Sequence, residues 1–190
     1  MWSEEIIQEY LKNNLKPTRY EHSVSVRGAA IKLAEKYGAC IDKARIAGLV
    51  HDCAKNLNNE ELLNIAKSHG YTINDACEKN PQLLHGIVGA IIAKEKMEVE
   101  DDDVLNAIRY HTTGKKDMSI LEKIIYIADY IEPLRNFPGV TDIRKVVYQD
   151  LDKALLESFN KTIKFVIDKG EILHTDTVEA RNYIIYKISR

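Results

Sequence analysis

Helix start and stop signals follow one another along almost the whole chain, and no alternating apolar–polar run competes with them. Ser3 stands between Trp2 and Ile7 as an N-cap inside a hydrophobic staple, with Ile6, Ile7, Tyr10 and Leu11 as an apolar stripe. Pro17 opens a second helical stretch that runs to Tyr37 and stops at Gly38, where a residue lacking Cβ suits a left-handed cap. Asp42 is expected to cap a third stretch carrying Ile46, Leu49 and Val50, and Asn58 or Asn59 a fourth that ends at Gly70. Pro81 precedes a segment with Leu84, Ile87, Val88, Ile91 and Ile92 at apolar positions. The run Asp101, Asp102 and Asp103 resembles a metal cluster, but it sits just before an apolar helical stretch, where carboxylates stabilise the helix N-terminus. Ser119 and Glu122 have the spacing of a capping box for a segment reaching Ile131. Pro133, Pro138 and Gly139 then break the chain. A long helix is expected from about Thr141 to Lys169, closed by Gly170, and a last one from near Asp176. The pattern predicts an all-α bundle, read as one domain over 1–190, with a metal-binding core over about 18–135 and C-terminal helices over about 141–190.

Bulk properties narrow the function classes. A hydrophobic share of 45% with 29% charged residues is that of an ordinary globular chain. The formal charge of −2 argues against nucleic acid as a partner. No apolar run approaches the ~20 residues of a membrane span, and the acidic N-terminus does not read as a signal peptide. Cys40, Cys53 and Cys77 are odd in number and lack CxxC spacing, which suits idle thiols in a reducing cytoplasm. Oligomeric state, a homodimer included, is left open by the sequence.

Four of the six histidines fall into an ordered set with two aspartates: His22, the doublet His51-Asp52, His85, His111 and Asp129. Imidazole and carboxylate hold divalent transition metals, and a water on such a metal loses its proton near neutral pH. Six ligands exceed what one ion needs, so the set points to two. Successive members are 18 to 34 residues apart, apart from the doublet, so each group is expected on a different helix, converging in the bundle interior. Neighbouring residues on a regular helix point about 100° apart. His51 and Asp52 therefore reach one ion only if the helix ends or distorts there, or if Asp52 bridges two. A lone histidine in an apolar helix is usually a packed core residue; the combination carries the signal.

Further stretches surround these ligands: Arg-Tyr-Glu-His-Ser at 19–23, His-Asp-Cys-Ala-Lys at 51–55, Leu-Leu-His-Gly at 83–86, His-Thr-Thr-Gly at 111–114 and Ile-Ala-Asp-Tyr-Ile-Glu-Pro-Leu-Arg at 127–135. With Thr-Val-Glu-Ala-Arg-Asn at 177–182, they resemble the HD superfamily of metal-dependent phosphohydrolases, and within it the YqeK-type symmetrical bis(5′-nucleosyl)-tetraphosphatases. The resemblance implies an HD-domain helical bundle in which His22, His51, Asp52 and Asp129 hold one metal. Asp52 then bridges to a second held by His85 and His111. It implies iron as the native metal, with manganese or other divalent ions substituting, and diadenosine tetraphosphate as the dinucleoside polyphosphate substrate. Attack of a metal-bound hydroxide on a β-phosphorus would release two molecules of ADP, the nucleoside diphosphate product.

Phosphate charge needs further partners. Lys55 lies one helical turn after His51 and shares its face if the helix continues; the resemblance implies Asp52 and Lys55 as catalytic residues, Lys55 meeting a phosphate oxygen. Arg135, beyond Pro133, can fold back over the site, and Arg19 can serve phosphate or pair with Glu21 or another carboxylate. Thr112, Thr113 and Gly114 form a polar turn able to donate to phosphate, although a helix C-terminal turn has the same composition. Glu132 is expected behind the ligands, orienting one of them or a water. His69 and His174 read as structural or solvated, and Arg181 and Asn182 receive no role. Three other functions compete: an HD phosphohydrolase for another nucleotide, a diiron HD oxygenase and a non-catalytic nucleotide-binding regulator.

Overall fold

Ser3 accepts from the Ile6 N–H and opens the first helix, α1 (Glu4–Asn14). The structure, a computed structural model, describes residues 1–189. After α1 come α2 (Pro17–Tyr37), α3 (Ile41–Val50), α4 (Asn59–Ser68), the short α5 (Asp75–Lys79), a 3-10 turn (Pro81–Leu84) and α6 (His85–Glu95). Then follow α7 (Asp102–Tyr110), α8 (Ile120–Ile131), α9 (Val140–Val146), α10 (Leu151–Asp168) and α11 (Thr175–Ile188). No strand occurs among the described residues, so the all-α expectation holds. None of the described helices is long and apolar enough to cross a membrane.

Most ends follow the capping chemistry read above. Asn58 and Glu61 exchange reciprocal side-chain hydrogen bonds at the start of α4, as do Ser119 and Glu122 at α8; each such cap is worth about 1 kcal/mol. Asp101 caps α7, and Lys43 on α3 neutralises Asp101 and Asp103 at 2.8 and 2.6 Å, so the acidic run is a helix start. Two expectations fail. Asp42 does not cap α3: that helix begins two residues earlier than such a cap implies, at Ile41 after Cys40, and Asp42 pairs with Arg45 inside the first turn. The long helix from Thr141 to Lys169 is two. Asp150 takes an extended conformation and accepts from the Lys153 N–H, so it ends one helix path and caps α10.

Packing explains where the interior forms. α2 lies along α3 and α8, and α7 sits among α3, α6 and α8. Leu33, Leu49, Val50, Val88, Ile108, Ile124 and Ile127 are completely buried between them, each worth roughly 1.5–3 kcal/mol relative to exposure. Close approach of α6 and α7 depends on Gly86, where a Cβ would lie 2.6 Å from the Arg109 carbonyl oxygen. That approach brings the start of α6 against the end of α7. α10 and α11 close the assembly, α10 packing on α8 and α9.

Candidate metal centre

The six expected ligands come from five places in the bundle. His22 lies on α2, His51 and Asp52 directly after α3, His85 at the first position of α6, His111 directly after α7, and Asp129 on α8. His22, His51, Asp52, His85 and His111 are buried, and Asp129 is partly so. The doublet works because α3 ends at Val50. Beyond it, the N–H groups of Cys53, Lys55 and Leu57 bond three residues back, to Val50, Asp52 and Ala54. This tighter winding turns His51 and Asp52 toward one interior point and also swings Lys55 to the site, although the helix expected to carry it there does not continue.

Every histidine is held by the nitrogen that faces away from the centre. His51 Nδ1 donates to the Gly48 carbonyl at 2.8 Å, His111 Nδ1 to the Ile108 carbonyl at 2.7 Å, and His85 Nδ1 to the Gln82 carbonyl. His22 Nδ1 donates to Glu132 Oε1 at 3.0 Å. Carbonyl and carboxylate oxygens only accept, so each Nδ1 carries the proton and each Nε2 keeps its lone pair for a ligand. Lys55 Nζ lies 3.3 Å from His85 Nδ1, but a nitrogen that already donates cannot accept from it.

Around the Nε2 atoms the distances fall into two groups. His22 Nε2 is 3.0 Å from Asp129 Oδ1 and 3.7 Å from Asp52 Oδ2, while His51 Nε2 is 3.5 Å from Asp52 Oδ2. Asp52 Oδ1 faces the other way, 3.1 Å from His85 Nε2 and 3.6 Å from His111 Nε2. His85 and His111 bring their Nε2 atoms to 2.9 Å of each other. One carboxylate thus divides its oxygens between two ligand groups.

The residues present fit divalent metal ions. Nε2 of His22 and of His51 are buried without a hydrogen-bond partner, even though Asp129 is close to the former. Buried polar atoms without partners are costly unless a ligand completes them. Ligand atoms about 2.1 Å from an ion sit ~3 Å apart at right angles, which is the spacing seen here. His22, His51 and Asp129, and separately His51, Asp52 and His111, each bring ligand atoms within 4.8 Å of one another. Burial pushes His85 down to about 4, against the pull of Asp52, so it is neutral at pH 7. Burial alone raises Asp129, but the Arg135 guanidinium beside it holds it well below the ordinary carboxylate range.

A pocket of about 190 Å³ opens over this cluster. Arg19, Lys55, Arg135 and Thr112 line it together with Asp52, His85, His111 and Asp129. Arg19 Nη1 reaches Asp52 Oδ2 at 2.7 Å rather than Glu21, and Arg135 Nη2 reaches Asp129 Oδ1 at 2.5 Å. Lys55 has no carboxylate within ion-pair distance among the described residues, and its burial lowers its pKa. Thr112 Oγ1 lies 3.1 Å from His85 Nε2 and 3.2 Å from His111 Nε2. The rest of that turn faces elsewhere. Thr113 donates to the Gly114 carbonyl, and Gly114, at φ +67°, is pressed on Phe159, where a Cβ would come within 2.6 Å. His69 pairs with Glu95, and His174 caps α11. Arg181 donates to Asn160, tying α11 to α10, and its other contact is Asn182.

Sequence reading missed four contributors. Tyr126 and Tyr130 on α8 line the pocket beside Asp129; Tyr126, three residues before it, shares its helix face, a proximity available from spacing, whereas Tyr130 does not. Thr162 on α10 lines it too, with no local signal to announce it. Arg144 on α9 donates to the carbonyls of Ile131, Glu132 and Arg135 at 2.6–2.7 Å, clamping the loop that places Glu132 and Arg135.

Known proteins resemble this chain in sequence and fold. A model of the HD domain matches residues 19–134, a span that contains all six ligands. A symmetrical bis(5′-nucleosyl)-tetraphosphatase of Bacillus subtilis is 42% identical over 175 residues, covering 92% of this chain and 94% of that protein. One of the same name from Halalkalibacterium halodurans is 40% identical over 177 residues, covering 93% and 94%. The crystal structure of a predicted HD superfamily hydrolase involved in NAD metabolism, from Clostridium acetobutylicum, matches with a TM-score of 0.96 at 56% identity, covering 98% of this chain and 99% of that one. With its HD core matched and its relatives covered end to end, the chain belongs to the HD-domain family, in the group of the symmetrical bis(5′-nucleosyl)-tetraphosphatases.

Proposed function

We propose that this protein hydrolyses diadenosine tetraphosphate symmetrically, adding water across the central Pβ–O–Pγ bridge to give two molecules of ADP. The observation that carries the reading is Asp52, whose two oxygens face separate histidine groups on the floor of a pocket walled by three cationic side chains. His22, His51, Asp52 and Asp129 would hold one ion, and Asp52, His85 and His111 the other. The relatives named for this activity support the substrate.

Two divalent ions, iron by family resemblance with manganese or another ion substituting, supply an acidified water and a positive field for the phosphate oxygens. The chain's own residues do the rest. Asp52 fixes the two ligand groups relative to each other. Glu132 holds the His22 tautomer, so that Nε2 faces inward. Lys55, lacking a carboxylate partner, offers its ammonium to a phosphate oxygen, and the unpaired edges of Arg19 and Arg135 offer planar donors. Thr112 adds a hydroxyl beside the second ligand group. The leaving ADP departs as an anion, so no strong general acid is needed. Three cysteines without a disulfide agree with a cytoplasmic setting.

The test is incubation of metal-loaded protein with diadenosine tetraphosphate and chromatography of the products. ADP as the sole product is expected. Equal amounts of ATP and AMP would overturn symmetrical cleavage.

A further inference from the structure

The pocket over the ligands is too small for a nucleotide. Its volume of about 190 Å³ falls below the roughly 300–1,000 Å³ of small-molecule sites, and Arg19, Lys55 and Arg135 in its walls suit phosphate groups. A nucleoside joined to those phosphates must lie in a neighbouring space. Four clefts among the described residues are of adequate size. Three of them, of about 510 Å³ around Tyr10 and Cys53, 460 Å³ around Lys116 and Glu179, and 330 Å³ around Val24 and Arg144, share no lining residue with the phosphate pocket. The fourth, of about 460 Å³ around Leu83 and Phe165, shares two: Thr112 and Thr162 line both spaces.

Chemistry changes across that shared wall. On the ligand side stand Arg19, Lys55 and Arg135; the far side is mainly apolar, with Leu83, Phe165, Val166 and Ile172, although Lys79, Glu171 and His174 also line it. Such a step from cationic to apolar matches the step from polyphosphate to purine. Phe165 is 55% exposed. Lys169 lies over its ring at 4.6 Å, and among the described residues no aromatic side chain pairs with it. Asn80, half-buried in the same cleft, has a side-chain amide with no hydrogen-bond partner among the described residues. An amide offers a donor and an acceptor side by side, the pattern that adenine presents along its edge.

We infer that the cleft between the 3-10 turn, α10 and the start of α11 holds the nucleoside of the half whose terminal phosphate reaches the ligands, with the base against Phe165 and its edge on Asn80. Thr112 and Thr162 then flank the phosphate chain where it passes from one space to the other. This assignment rests on the dinucleoside tetraphosphate reading above. It makes Phe165 and Asn80 specificity-determining residues outside the metal site.

Val166→Trp, at a half-buried position on α10, fills the cleft without touching the ligands. Titration calorimetry of metal-loaded protein with ADP and with inorganic pyrophosphate separates base from phosphate recognition. Wild type is expected to bind ADP at least tenfold more tightly than pyrophosphate. Val166→Trp should weaken ADP by tenfold or more, leave pyrophosphate within twofold, and raise KM for diadenosine tetraphosphate more than it lowers kcat. If Val166→Trp does not fold, Phe165→Ala at its exposed position gives the same readout, with a loss of threefold or more for ADP alone. Wild-type ADP affinity in the folded variant, or equal losses for both ligands, overturns the cleft assignment while the activity stands. A wild type that neither prefers ADP to pyrophosphate nor cleaves diadenosine tetraphosphate overturns the substrate reading itself.

Discussion

Glu132→Gln changes one atom of a buried side chain and should selectively weaken one of two metal sites. Glu132 is 1% exposed. Its Oε1 accepts from His22 Nδ1 at 3.0 Å, and its Oε2 accepts from the Leu134 N–H at 2.7 Å. Burial alone would raise its pKa, but Ser25, the Leu134 N–H and His22 bring it below the usual range, so it is ionised at neutral pH. A glutamine has one acceptor where the carboxylate has two. With its oxygen on Leu134, its NH₂ faces the His22 Nδ1–H, donor against donor. The imidazole relieves this by moving its proton to Nε2, which removes the lone pair meant for the metal. Loss of such a partner typically costs 10- to 100-fold in metal affinity, or about 1.4–2.7 kcal/mol. His22 faces Asp129 and Asp52 Oδ2, so the loss should fall on that ion alone. Competition with a coloured chelator, read as two successive dissociation constants, measures it. Two wild-type constants in a folded Glu132→Gln protein would refute the positioning role.

Two other substitutions or probes follow from the same geometry. Lys55→Met should lower kcat/KM for diadenosine tetraphosphate by roughly tenfold or more, the loss of one charge-assisted contact, with metal content unchanged; an unaltered kcat/KM would remove Lys55 from substrate binding. In native protein at pH 8, a disulfide exchange reagent should titrate Cys40 alone, because Cys40 is exposed while burial pushes Cys77 up to about 11 and Cys53 up to about 12. Denatured protein should yield all three thiols, and rapid reaction of more than one in the native state would contradict the packing. The same shifts give a sign for alkaline stability. The unfolded chain releases these protons from about pH 9 upward while the folded chain holds them, so stability is lost as pH rises from 9 toward 11.

The six candidate ligands stood out in the sequence because their chemistry is local to each residue and their spacing assigns each group to its own place in the bundle. His51-Asp52 also carried a geometric demand, that the helix end or distort, and α3 does end at Val50. Caps built from one side chain and a nearby N–H, as at Asn58 and Ser119, were equally readable. What escaped depends on tertiary placement or on close competition between local states. Thr162 reaches the pocket only because α10 packs on α8. Arg144 clamps the loop from Ile131 to Arg135 by folding across it, which no periodicity encodes. The turn after His111 has donors throughout, yet backbone direction leaves only Thr112 toward the ligands and turns Gly114 onto Phe159. The break before α10 was missed because apolar spacing continues through it, and a single aspartate at 150 decides it.

Elemental analysis of the purified protein, with Asp52→Asn and His111→Ala alongside, tests the centre most directly. At saturating divalent metal, wild type should hold two ions per chain. Asp52→Asn, which removes a carboxylate shared by both groups, should weaken both sites, whereas His111→Ala should keep the ion at His22, His51 and Asp129 and lose the other. One ion per wild-type chain at saturation, or loss of a single ion in Asp52→Asn with the other bound as in wild type, would contradict a two-metal site bridged by Asp52.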